Sequence, residues 1–196
     1  MTVIDLQNIT AGHNGDPVIT GFNLQVEKGE AVCLTAPSGH GKSTLLHLLA
    51  GLSDPLSGSC EVNAKEIAYT FQEPPLLPWM SVAENIRFLA GKGCPCRSGK
   101  SWQIWTMRLG LTDALSKKTS QLSGGMKRRV GIACALSVAS DLVLLDEPFA
   151  SLDAHWQTEV AQCIFDHREA NGTTLVMVSH ETLPLKGQDI RIVAMG

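Results

Sequence analysis

Apolar and polar residues alternate along the chain in a pattern that predicts strands and helices in succession. Residues 2–9 are compatible with a strand, and Phe22, Leu24 and Val26 alternate with polar neighbours as in a strand with one buried face. Unbroken apolar runs are typical of strands buried on both faces of a parallel sheet. Such runs start at Ala31 and also occupy residues 142–145, 174–178 and 190–194, and shorter strands are predicted at 59–62 and 67–71.

Helical spacing predominates between these groups of strands. Four segments have it: residues 42–49, residues 82–89 after an N-cap at Ser81 with Glu84 three positions on, residues 102–109, and residues 153–170 with Asp153 as the cap and Gly172 as the end. The pattern therefore predicts one domain over 1–196, in which a helical lobe at 73–138 is inserted into an α/β core made of residues 1–72 and 139–196.

Composition narrows the function classes. The formal net charge is -3 and the isoelectric point is near 6.0, so nothing in the balance of charge calls for nucleic acid as a partner. The first ten residues lack a basic start followed by an apolar run, and no apolar span is long enough to cross a membrane. We expect a cytoplasmic protein that would act at a membrane only through a partner.

The strand that begins at Ala31 runs into a glycine-rich loop and then a helix, which is the arrangement of a phosphate-binding loop. The loop and the start of the helix comprise Pro37, Ser38, Gly39, His40, Gly41, Lys42, Ser43 and Thr44. Glycines allow backbone N–H groups to converge on anionic oxygens, and the helix N-terminus adds a partial positive charge. We expect Lys42 to reach the β- and γ-phosphates and Ser43 to bind Mg²⁺. Ala36 stands where the pattern has glycine.

Three further features lie downstream. Asp146 and Glu147 end an apolar strand, where Asp146 is placed to hold Mg²⁺ and Glu147 to polarise a water molecule. Ser123, followed by two glycines and a predicted helix, forms a second anion site at a helix N-terminus. His180 follows another buried strand and is placed to donate to a phosphate oxygen.

In kind and order these motifs resemble the nucleotide-binding subunits of ATP-binding cassette (ABC) transporters. The resemblance covers nearly the whole chain: APSGHGKST as Walker A, Gln72 as the Q-loop, LSGGM at 122–126 as the signature, LVLLDEP at 142–148 as Walker B, residues 150–153 as the D-loop and His180 as the switch histidine. Residues 71–86 are similar to importer subunits of the nitrate, sulfonate, taurine and thiamine-precursor group.

The resemblance implies an α/β fold, namely a P-loop NTPase core with a parallel sheet, an antiparallel β-subdomain and an inserted helical subdomain. It implies an ATPase that uses ATP and Mg²⁺, with Ser43, Gln72 and Asp146 at the metal. Glu147, His180, Gln72 and Lys42 would take part in catalysis. Ser123, Gly124, Gly125 and Asp153 would contact ATP bound to a second subunit in a head-to-tail homodimer.

It also implies partners. Integral membrane permease subunits would dock on the helical lobe near residues 75–79, and a solute-binding protein would deliver the solute. The chain would then lie peripherally on the cytoplasmic face of the inner or cell membrane. Trp79 is equally well explained as a packing aromatic beside a proline turn.

Two positions depart from the family pattern. His13 occupies the position where the family usually stacks an aromatic residue on adenine. Arg128 stands where the family commonly has glutamine; with Lys127 and Arg129 it forms a basic helix start, which we interpret as a solvated face.

Three alternatives remain open: a non-transport ABC ATPase of DNA repair or translation, a regulatory module that binds nucleotide without hydrolysis, and an export partner instead of an importer. Most of the six cysteines lie in apolar runs and are predicted to be core residues, whereas Cys94 and Cys96 are predicted to be reduced thiols in a surface loop.

Overall fold

The computed structural model describes residues 1–13, 15–37, 39–90 and 102–195, and it has strands and helices where the hydrophobic pattern predicts them. The strands are β1 (Thr2–His13), β2 (Asp16–Glu27), β3 (Ala31–Thr35), β4 (Ser57–Val62), β5 (Ile67–Thr70), β6 (Leu142–Asp146), β7 (Thr174–Val178) and β8 (Arg191–Ala194). The helices are α1 (Lys42–Leu49), α2 (Val82–Ala90), α3 (Trp102–Arg108), α4 (Gly124–Ser137) and α5 (Ala154–Asn171).

These strands form one antiparallel and one parallel sheet. The antiparallel sheet has the order β2-β1-β4. The other sheet has the order β5-β6-β7-β3-β8, and its paired strands are parallel. The predicted α/β class, with one parallel and one antiparallel sheet, is therefore confirmed.

The parallel sheet separates two hydrophobic cores, which explains why its central strands are apolar throughout. Side chains alternate across a strand, so Ala31 and Cys33 of β3 face one core while Val32 and Leu34 face the other. The first core packs the sheet against α2 to α5. The second packs it against α1 and the antiparallel sheet.

Helix ends follow the local chemistry that the sequence predicts. Glu84 Oε2 accepts from the Ser81 backbone N–H at 2.7 Å, and Ser81 Oγ accepts from the Glu84 N–H at 3.2 Å, which is a capping box. Asp153 Oδ1 caps α5 by accepting from the Trp156 N–H at 2.9 Å. Gly172 ends α5 in the left-handed conformation, with φ 63°.

One prediction about side-chain exposure is wrong. Residues 127–129 do not form a solvated basic face, because only 9% of Arg128 and 8% of Arg129 are exposed. Helix α4 lies between the parallel sheet and the other helices, so it buries its surface almost all round from Arg128 onward. The cysteine prediction is confirmed for Cys33, Cys134 and Cys163. Cys94 and Cys96 lie outside the described residues.

Candidate functional site

The predicted functional residues follow the carboxyl ends of neighbouring parallel strands. The phosphate loop follows β3, Gln72 follows β5, Glu147 follows β6 and His180 follows β7. In open α/β sheets, ligands bind in the crevice at this edge. A cavity of about 300 Å³ opens there. It is lined by Val18, Gly39, Gly41, Lys42, Ser43, Thr44, Gln72, Asp146 and Glu147.

The phosphate loop turns through left-handed glycines. Gly39 has φ 82° and Gly41, the N-cap of α1, has φ 77°. A side chain at Gly41 would also crowd Ile19, whose Cγ1 would lie 2.6 Å from an added Cβ. Glycine at position 41 thus satisfies both the backbone geometry and the close approach of β2.

Lys42 is held by this loop and not by solvent. Its Nζ donates to the carbonyl of Ala36 at 2.8 Å and to that of Pro37 at 3.2 Å, and only 11% of the side chain is exposed. Glu147 Oε1 lies 3.9 Å from the same nitrogen. The ammonium group therefore already faces the cavity, with a carboxylate opposite.

Asp146 has the surroundings of a cation ligand. Only 2% of it is exposed, and its Oδ1 has no hydrogen-bond partner among the described residues. Burial raises the pKa of its carboxyl group, and a hydrogen bond from the Ser43 hydroxyl opposes that rise. A buried carboxylate oxygen without a donor beside a serine hydroxyl is the oxygen-rich setting that Mg²⁺ prefers. Both residues fit the predicted metal site.

Glu147 is fixed between two cationic or potentially cationic groups. Its backbone has φ 48°, which is unusual for glutamate, and its N–H donates to the Val178 carbonyl at 3.0 Å. Oε2 lies 2.9 Å from Nδ1 of His180, and the His180 N–H donates to it at 3.4 Å. The carboxylate is therefore held from two strand ends while Oε1 faces Lys42.

The ring of His180 is oriented but accessible. Its side chain is 60% exposed, and its Nε2 lies 3.8 Å from Glu181 Oε1. Glu181 is anchored in turn, because Gln157 of α5 donates to its Oε2 and the Ser179 hydroxyl accepts from its N–H at 3.0 Å. The imidazole has carboxylates on both nitrogens and remains open toward solvent.

The signature residues lie on the surface, away from the cavity lining. Ser123 and Gly124 are exposed, and Ser123 Oγ caps α4 by accepting from the Met126 N–H at 3.3 Å. An added Cβ at Gly124 would meet nothing within 4 Å, so the helix N-terminus is open to a ligand. The structure thus does not bring Ser123, Gly124, Gly125 or Asp153 to the nucleotide cavity of their own chain.

Other predicted binding residues are more peripheral. Pro37 and His40 are exposed, whereas Thr44 is buried under the loop. Ser38 and the side chain of His13 lie outside what the structure describes. Val18 of β2 lines the cavity and was missed, because an apolar residue in an alternating strand carries no signal for a binding site.

Comparison with known proteins agrees with this geometry. The ABC transporter family model matches residues 19–150, which is more than half of the chain. The chain belongs to the ABC transporter family. A model described as "AAA domain, putative AbiEii toxin, Type IV TA system" also matches residues 118–184.

Curated relatives of this ABC chain include ATP-binding proteins of several transport systems. The bicarbonate transport ATP-binding protein CmpD of Synechococcus elongatus is 40% identical over 179 residues, which are 84% of this chain and 63% of that protein. An aliphatic sulfonates import ATP-binding protein, SsuB 2 of Pseudomonas syringae pv. tomato, is 38% identical over 95% of this chain and 78% of its own. The lipoprotein-releasing system ATP-binding protein LolD of Bacteroides thetaiotaomicron is 34% identical over 91% of this chain and 90% of its own.

A solved structure has the same fold. It is a dimeric ATP-binding cassette in a post-hydrolysis state bound to ADP and Pi, with a TM-score of 0.83 and 27% identity. The alignment covers 98% of this chain and 94% of that one. The ABC chain described here spans 63% of the length of the bicarbonate transport proteins that it matches. No helix in the described part of the chain is both long enough and apolar enough to span a bilayer.

Proposed function

We propose that this chain binds and hydrolyses ATP and thereby powers a membrane ABC transporter. The observation that carries the proposal is the position of Glu147, whose two carboxylate oxygens face Lys42 and His180 at the mouth of one cavity. A carboxylate in that position can accept a proton from water while the two neighbours stabilise negative charge on a phosphoryl group.

In the proposed reaction, ATP binds with its phosphates on the loop of residues 37–44. Lys42 exchanges its loop carbonyls for phosphate oxygens, which are stronger acceptors because they are charged. Glu147 orients a water molecule toward the γ-phosphate and accepts its proton, and His180 donates to the transferring group. Gln72, exposed on the cavity wall, contacts the attacking water or the metal.

Ser43, Asp146 and Gln72 would hold Mg²⁺. When bound, the ion neutralises charge on the β- and γ-phosphate oxygens. The unpartnered Oδ1 of Asp146 supports this assignment. Asp146 also keeps the Ser43 hydroxyl oriented toward the same point.

We further propose that two copies associate head to tail. The exposed N-terminus of α4, with Ser123, Gly124 and Gly125, would contact the γ-phosphate of ATP on the partner, and Asp153 would lie at the seam. The open surface at Gly124 supports this arrangement, since it leaves room for a phosphate. The dimeric state of the related cassette supports it as well.

The helices between β5 and β6 provide the proposed docking surface for permease subunits, and we keep residues 73–138 as the proposed helical subdomain. Trp79 is 65% exposed and Phe88 of α2 is 64% exposed. Exposed aromatic side chains of this size are typical of protein interfaces. A location on the cytoplasmic face of the membrane follows from such docking.

Import of a small solute is the direction that we favour, with a solute-binding protein as a further partner. Two of the relatives described above are named for bicarbonate transport and sulfonate import. The lipoprotein-releasing relative supports a second candidate, a subunit that works on substrates of the membrane itself. The non-transport ABC ATPase remains the other alternative.

Co-purification from native membranes tests the transport assignment. A tagged Glu147→Gln chain, held with ATP, should retain a multi-spanning membrane protein that mass spectrometry identifies. A periplasmic or surface binding protein in the same complex would favour import. Recovery of soluble partners or nucleic acid alone would refute transport and leave the ATPase chemistry to be tested separately.

A further inference from the structure

Arg128 is a buried cation beside the candidate active site, and its role is not explained by the motifs. It is the fifth residue of α4, and only 9% of it is exposed. Burying a guanidinium group is costly unless its N–H groups find acceptors. Its described polar contacts are with backbone carbonyls and not with a carboxylate.

The two carbonyls belong to neighbouring strand ends. Arg128 Nη1 donates to the Phe71 carbonyl at 3.3 Å and to the Asp146 carbonyl at 3.4 Å. The last paired residues of β5 and β6 are Thr70 and Leu145. One nitrogen thus bridges the strands one residue beyond the point where their pairing ends.

The residues that follow these carbonyls are both assigned to the reaction. Gln72 comes directly after Phe71, and Glu147 directly after Asp146. A carbonyl and the N–H of the next residue share one rigid peptide plane, so holding the carbonyl also orients the next residue. Arg128 therefore acts on the backbone of both residues from one point.

The same helix carries the signature at its N-terminus. Ser123 caps α4 five residues before Arg128, which is about 7.5 Å along a helix axis. Gly131 of α4 in turn lies against Pro74, since an added Cβ there would approach the proline ring at 2.8 Å. Helix α4 thus contacts the segment around Gln72 on both sides of it.

We propose that Arg128 is a positioning residue: it fixes the ends of β5 and β6 to the signature helix and so holds Gln72 and Glu147 in the arrangement that hydrolysis requires. This inference rests on the roles proposed above for those two residues. A displacement of α4 when the signature engages its ligand would be transmitted through Arg128 to both strand ends.

The test compares Arg128→Met, Arg128→Lys and the matched control Lys127→Met in the full chain. Methionine keeps much of the buried stem but has no donor, lysine keeps a charged donor on a shorter stem, and Lys127→Met removes a charge from the same helical turn. We expect kcat to fall about tenfold or more in Arg128→Met and less in Arg128→Lys, with the Kd for ATP unchanged. The control should match the unsubstituted chain.

Hydrogen exchange gives a readout that does not depend on activity. Peptides containing residues 71–73 and 146–148 should exchange faster in Arg128→Met and Arg128→Lys than in the control, while those of β7 and α5 should not change. Unchanged kcat and unchanged exchange in folded Arg128→Met would overturn the proposal. If that variant does not fold, Arg128→Lys with kcat and exchange like those of the unsubstituted chain would overturn it.

Glu147→Gln, measured in parallel, separates this inference from the proposed function. If Glu147→Gln hydrolyses ATP normally, the assigned catalytic role is wrong, whatever Arg128 does. The exchange comparison would still report whether Arg128 holds the two strand ends.

Discussion

His180 Nδ1 lies 2.9 Å from Glu147 Oε2, which joins the residues that follow β6 and β7 into one unit. The backbone N–H of His180 donates to the same oxygen at 3.4 Å. Histidine thus restrains the carboxylate through both its ring and its main chain. The second oxygen is left to face Lys42.

Replacing Glu147 with glutamine should stop turnover while ATP still binds. The amide keeps the size of the side chain but cannot accept the proton, so we expect kcat to fall by about 10² or more. Steady-state phosphate release and fluorescent-nucleotide titration would measure the two quantities. Glu169→Gln, on the exposed side of α5, is the matched control, and hydrolysis near its rate in Glu147→Gln would contradict the role.

Replacing Lys42 with alanine should weaken ATP binding itself. Two loop carbonyls now stabilise this ammonium group, and phosphate oxygens would replace them as acceptors. We expect the Kd for ATP to rise at least about tenfold, measured by isothermal titration calorimetry. The exposed Lys117 provides the control substitution, and an ATP affinity in Lys42→Ala equal to that of Lys117→Ala would count against the phosphate contact.

Gly110 and Gly172 make a matched pair for stability, because both have φ 63°. An added Cβ at Gly110 would lie 2.8 Å from Cζ2 of Trp156, whereas at Gly172 it would meet nothing within 4 Å. Gly172→Ala should therefore lower the free energy of unfolding by about 1–2 kcal/mol, from backbone strain alone. Gly110→Ala should lower it by about 1–3 kcal/mol more, from overpacking.

Urea unfolding would measure both variants. Trp156→Leu should relieve part of the loss in Gly110→Ala, so the two substitutions should be less than additive. Equal losses in Gly110→Ala and Gly172→Ala would show that the indole does not restrict position 110. The Arg129 guanidinium, 3.8 Å from the centre of the same ring, explains why Trp156 has little freedom to move aside.

Three buried thiols should make the fold sensitive to alkali. Burial raises the pKa of Cys33 and Cys134 to about 12 and that of Cys163 to about 11, from an ordinary value of 9.0. The folded chain keeps these protons above pH 9, whereas the unfolded chain loses them. The free energy of unfolding should therefore fall as pH rises from about 9 toward 12.

Alkylation offers a direct check on the same thiols. Thiolate is the reactive form, so iodoacetamide should leave Cys33, Cys134 and Cys163 unmodified in the folded chain at pH 8 and modify them in urea. Peptide mapping would follow each site. Rapid modification without denaturant would show that these side chains are accessible, contrary to their burial.

The exposed aromatic side chains of the helical region provide a test of docking. Trp79→Ala should reduce recovery of the membrane partner without changing the ATPase rate of the isolated chain, because the indole is 65% exposed and lies outside the cavity lining. Leu183→Ala removes a side chain that is 83% exposed in another segment and serves as the control. Equal recovery of the partner with both variants would argue for a packing role of Trp79.

The sequence by itself determined the elements and the residues of the site. Strand and helix periodicity, capping residues such as Ser81 and Asp153, and the phosphate-loop pattern are local, because each depends on residues within a few positions. These signals placed Lys42, Asp146, Glu147 and His180 at strand ends before any three-dimensional contact was known. They could not show that Glu147 faces Lys42 and His180.

Only the tertiary structure decided the contacts between distant segments. Arg128 and Arg129 have the composition of a solvated helix start, yet both are buried, because α4 packs against the sheet and the other helices and leaves these side chains no route to water. Their acceptors are carbonyls of Phe71, Asp146 and Leu109, up to 57 positions away. Such partners depend on how the elements pack together, and no local pattern of polar and apolar residues records that packing.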